Sequence, residues 1–117
     1  MMTIYKLVNL TPHPVNLYQD GNLIRTIPAE NARASIASVS TLEKKIQLDG
    51  GLEIDLYATQ YQQVTGLPDP APETLYFVSL PVLLACPHRA DLVCPHVYVR
   101  DEQGQIMGAE GLARLVA

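Results

Sequence analysis

The sequence predicts an α+β fold, a mainly antiparallel β-sheet with one or two short helices. Three observations carry that expectation. Asp20-Gly21 and Asp49-Gly50-Gly51 each stand between apolar segments, as hairpin loops do. Leu52, Ile54 and Leu56 alternate with Glu53, Asp55 and Tyr57, which is the side-chain period of a strand. Residues 74–80 (TLYFVSL) are apolar almost throughout, as a strand covered on both faces is.

The chain has 117 residues, and 48% of them are hydrophobic. Residues 1–117 therefore read as a single domain, able to bury roughly two thirds of the unfolded surface. No apolar run approaches the roughly 18 residues of a membrane helix. The opening MMTIYKLVNLTPH lacks the pattern of a secretory leader, so a cytoplasmic protein is expected. The net charge is −4, with eight Lys and Arg. That argues against a nucleic-acid polymer as partner, because a basic face would be needed. It leaves room for a small anion, which a few converging arginines can hold. Two cysteines in such a chain read as reduced thiols.

The elements follow in order. Residues 3–10 (TIYKLVNL) read as a strand that Pro12 and Pro14 break, with His13 held outside the sheet. Residues 15–18 and 23–27 form a hairpin around Asp20-Gly21, and Pro28 ends it. Residues 29–42 are read as a strand on the alternation of Ala32, Ala34 and Ile36, against an alanine content that also suits a helix. Residues 44–48 and 52–58 flank Asp49-Gly50-Gly51 as a second hairpin. Its returning arm has one wet face and extends through Tyr61 toward Val64. Residues 66–72 (GLPDPAP) form a loop, since three prolines deny it ladder hydrogen bonds. Residues 74–80 are a central strand. Ser79 is placed as an N-cap, and residues 82–85 as one or two helical turns. Residues 97–100 form a strand, 101–104 a turn and 105–107 its return. Residues 108–117 form a tail, either helical or packed along an edge.

Chemically unusual residues gather in residues 74–104. Cys86-Pro87-His88 and Cys94-Pro95-His96 could together supply a tetrahedral Cys2His2 zinc set. Their spacing matches no common zinc module. The favoured reading makes both cysteines small buried hydrophobes, with no metal. Arg100-Asp101 ends a strand: the guanidinium can grip a phosphate, and the carboxylate can accept from a hydroxyl or base amine. The same pair also suits an ordinary turn. Arg89, Asp91, Arg25 and Arg33 are candidates for that pocket. Phe77, the one phenylalanine, is either a stacking plane or core. Tyr57, Tyr61, Tyr76 and Tyr98 suit an oligomer surface or a pocket wall, and residues 80–85 suit core or a subunit interface. No phosphate-binding loop, zinc-protease or serine-hydrolase motif occurs.

Five segments carry a family resemblance: VNLTPHPVNLY, GLPDP, LYFVS, RADLV and VRDEQGQIMG. Spread in order along the chain, they resemble small phage and prophage proteins, and among functional families the first Thoeris anti-defence family, a nucleotide sponge. The resemblance implies a non-catalytic homo-oligomer, a dimer or a hexamer built as a trimer of dimers, with no cofactor. It implies sequestration of a cyclic ADP-ribose isomer made by a TIR-domain enzyme, or of cyclic oligonucleotides at separate sites. The family pocket maps onto Phe77, Arg100 and Asp101, with Arg25 as a second-site contact. Where the family carries an asparagine, this chain has Cys86-Pro87-His88-Arg89. Two rival functions stand beside it: a small metal-dependent hydrolase of such a signal, and a structural or interaction protein of phage origin.

Overall fold

A computed structural model describes residues 2–116. Eight strands and one helix follow in order: β1 (Lys6–Asn9), β2 (Val15–Gln19), β3 (Asn22–Ile27), β4 (Ser35–Gln47), β5 (Glu53–Thr65), β6 (Thr74–Phe77), α1 (Leu80–Ala85), β7 (Leu92–Arg100) and β8 (Ile106–Ala113). The fold is α+β and mainly β. Most registered residue pairs are antiparallel, in the pairs β2–β3, β4–β5 and β7–β8. The remaining contacts, β1–β6, β6–β7 and β2–β8, are parallel.

Six strands form one sheet in the order β1-β6-β7-β8-β2-β3. The sheet curls until its two edges meet. Asn9 at the end of β1 bridges Ala29 just past β3, and its carbonyl accepts from the Glu30 amide at 3.0 Å. Every one of the six strands sends side chains to the interior of this half-closed barrel. Phe77, Ile27 and Val93 are its buried centre, and Leu7, Val15, Leu17, Leu75 and Leu112 surround them. The outer wall near β6 carries a second core, where Tyr76, Val78 and Leu92 meet Val82 and Leu83 of α1.

The seam depends on one polar residue. Asn9 is completely buried. Its amide nitrogen donates to the carbonyls of His13 at 2.8 Å and Ile27 at 3.2 Å. Its oxygen accepts from the Thr11 amide at 3.0 Å and the Thr11 hydroxyl at 2.6 Å. This explains how a loop stripped of donors by Pro12 and Pro14 can lie against the barrel. One side chain from inside satisfies the loop's His13 carbonyl and Thr11 amide and ties both to the end of β3.

The second sheet is the β4–β5 hairpin alone. Each strand has 13 residues, so it extends about 43 Å. It leaves the barrel as an arm. The radius of gyration is 18.0 Å and the long axis 61 Å, against about 13 Å for a compact chain of this length. Only its root is packed: Ile36 and Val64 touch the outer core. Gly66, where β5 returns, has φ +80°, and a Cβ there would collide with the Arg33 backbone. That close approach pins the root.

Several expectations change. Residues 29–34 are an irregular crossing, and β4 begins only at Ser35. The two short hairpin arms expected around Asp49-Gly50-Gly51 belong to one long pair with bulges between Ile36 and Ser38 and between Leu42 and Lys44. Past the root both faces of that pair are wet, since nothing among the described residues covers either one. The tail is neither helix nor edge. Up to Ala113 it is β8, an inner strand between β7 and β2, while Ala117 lies outside the described residues. The Asp20-Gly21 loop is as expected, with both residues at positive φ. Ser79 stands at the helix start, but its hydroxyl makes no cap hydrogen bond.

Candidate functional site

The barrel topology brings four strand ends to one place. β1, β6 and β7 run parallel, so the residues preceding them lie at the same end. β8 runs antiparallel to β7, so the residue following it arrives there too. Tyr5, Glu73, Asp91 and Arg114 occupy these four positions. They rim an open cleft of about 550 Å³, floored by Leu75, Val93 and Leu112 from the barrel interior. The backbone ties the rim together: the Lys6 amide donates to the Glu73 carbonyl at 2.9 Å, and the Tyr76 amide to the Asp91 carbonyl at 2.8 Å. Glu73 sits at φ +53°, an uncommon conformation for a residue with a side chain. Tyr5, Glu73 and Arg114 are exposed. The cleft thus offers an accessible ring, a guanidinium and a carboxylate over an apolar floor.

Asp91 is already engaged. Arg89 Nε donates to its Oδ1 at 2.8 Å, and Nη2 to its Oδ2 at 2.8 Å. The same Nη2 donates to the Pro68 carbonyl at 2.9 Å. This fork holds the Asp91 carboxyl below its ordinary range, through the Arg89 hydrogen bonds first, with desolvation opposing. Arg89 is raised for the reciprocal reason. Its role is to fasten the proline-rich loop to the rim.

The other expected site residues do not converge. Phe77 is fully buried in the barrel and has no face to offer a ligand. This corrects its expected role as a stacking plane; an apolar strand walled by two neighbours points its aromatic ring into the interior. Arg100 lies at the far end of β7, about 26 Å from Leu92 along the nine-residue strand. Its Nη1 donates to the Gly104 carbonyl at 2.8 Å. Asp101 Oδ1 accepts from the amides of Gln103 and Gln105, both at 2.9 Å, so this carboxylate builds the β7–β8 turn. Arg25 is exposed on the β3 wall, opposite Leu17. Within one chain these residues therefore stand in four separate places.

Cys86 and Cys94 pack against the outer core, while His88 and His96 are exposed. Burial pushes the Cys94 thiol up, which keeps it protonated. Residues 80–85 divide between both expected roles: Val82 and Leu83 are core, whereas Leu80 and Leu84 are exposed. Tyr76 is core and Tyr57, Tyr61 and Tyr98 are exposed. No helix is long and apolar enough to cross a membrane among the described residues.

The sequence reading missed Tyr5, Glu73 and Arg114 because strand ends meet only through parallel pairing. It also missed Asn9, which could have been found as an inward-facing polar residue at a strand end before Thr-Pro. No protein-family model matches the chain, and searches of curated proteins and of solved structures return no match.

Proposed function

We propose that this protein captures, without transforming it, a small nucleotide-type signal of the cyclic ADP-ribose or cyclic oligonucleotide class, and so blunts an anti-phage defence. In this reading it acts in the cytoplasm as a homo-oligomer. The five-segment resemblance supports the ligand class. The observation that carries the reading is the convergence of Tyr5, Glu73 and Arg114 on one cleft. A ring can stack on a base, a guanidinium can meet a phosphate, and a carboxylate can accept from ribose hydroxyls. The cleft volume lies within the range of small-molecule sites. Its position replaces the pocket expected at Phe77, Arg100 and Asp101.

The test is calorimetry with cyclic ADP-ribose isomers and cyclic oligonucleotides, followed by heat release and mass spectrometry. Submicromolar binding and intact released ligand are expected. Arg114→Ala should weaken binding about 10- to 100-fold with the melting curve unchanged. No binding across both ligand classes, or recovery of a cleaved product, overturns the reading.

A further inference from the structure

We propose that the β4–β5 arm is a clasp for a second copy of this chain, laid antiparallel on the partner's arm about a two-fold axis. The inference stands on the arm and does not depend on the cleft.

A two-stranded hairpin is marginal in water unless something packs against it. This one has an unpaired edge on each strand and two uncovered faces. Apolar side chains occupy both faces. By register, Leu42 and Tyr57 share one face and Ile46 and Ile54 the other; Leu42, Tyr57 and Ile54 are exposed and Ile46 is half-buried. A monomer has nothing to cover them.

The distribution of charge selects the partner. Residues 35–42 of β4 and 56–65 of β5, the half nearest the barrel, contain no charged residue. The outer half carries Glu43, Lys44, Lys45, Asp49, Glu53 and Asp55. If two such arms lie antiparallel about their midpoints, each charged half faces an uncharged half. No like charges then oppose one another, a contact that destabilises paired strands. The two-fold generates this match with no further requirement on the sequence.

The ends match as well. The same overlay carries the tip of each arm to the root of the other. The tip presents Leu48 and Leu52, the latter 63% exposed. The root holds an apolar groove lined by Ile36, Tyr61, Leu80, Pro81 and Leu84. Leu80 and Leu84 are the exposed side of α1, and the tip leucines would cover them. An arm face presents about 430 Å². Two such faces bury on the order of 860 Å², and the two tip-to-root contacts add to this toward the roughly 1,200 Å² of a specific interface.

Sedimentation of the full chain tests this at about 50 µM, a concentration above the micromolar end of the affinities of specific interfaces. The expected species has twice the 12.8 kDa chain mass, or an even multiple. Leu52→Lys and Leu84→Glu should each raise the dissociation constant about 100-fold, because each puts an unpaired charge into an apolar contact. Both sites are exposed in the single chain, so circular dichroism should stay unchanged. The double variant places opposite charges at each tip-to-root contact and should regain at least tenfold. A monomeric wild type, single variants that associate normally, or a double variant that regains nothing would overturn the proposal.

Discussion

The barrel and the arm are built from similar strands but differ in what closes them. In the barrel, six strands share one interior, and each apolar residue there is covered by residues from other strands. In the arm, two strands of 13 residues pair along their length, yet past Ile36 and Val64 at the root they are left uncovered. Pairing makes a ladder; burial makes it stable. The barrel has both within one chain, and the arm has only the first.

Substitutions can expose this contrast, and the largest effect belongs inside the barrel. Phe77→Ala removes the largest fully buried side chain and should cost about 3–5 kcal/mol, read from urea unfolding. A loss below about 1 kcal/mol would mean the barrel interior is not the core described. Asn9→Ala should follow, at about 2–3 kcal/mol, since it orphans the His13 and Ile27 carbonyls at the seam. Wild-type thermal stability in that variant would refute the seam. Arg89→Ala should cost about 1–3 kcal/mol by freeing the Asp91 carboxylate and the Pro68 carbonyl.

The Arg89–Asp91 pair also has a pH signature. Asp91 has a lowered pKa in the folded chain. Its contribution is therefore complete above the ordinary carboxylate range and is lost as pH falls through the lowered folded value. Denaturant midpoints should fall over that acid window in the wild type, and less steeply in Arg89→Ala. Identical slopes would remove the pair from the account. At the small end, Tyr57→Ala on the arm should change the stability of dilute protein by under about 0.5 kcal/mol.

How much was legible in the sequence divides along the same line. The local devices were readable: Asp20-Gly21 adopts the positive-φ turn its residues favour, and Ile54 and Leu56 do lie on a strand, which begins just after Leu52. The expected wet face was not correct, because a period of two identifies a strand and does not say what covers it. The parallel pairing of β1 with β6 joins Lys6 to Thr74, and no local pattern marks so distant a partner. The cleft follows from that pairing, so Tyr5, Glu73 and Arg114 were invisible beforehand. Arg100 and Asp101 were noticed for their chemistry, but their hydrogen bonds are those of a turn.

Hydrogen exchange across a dilution series tests the contrast most directly. Amides of β6, β7 and β8 should exchange slowly at every concentration. Amides of β4 and β5 should gain protection only as concentration rises and the arms find partners. Arm amides as protected as the barrel's at the greatest dilution would contradict it.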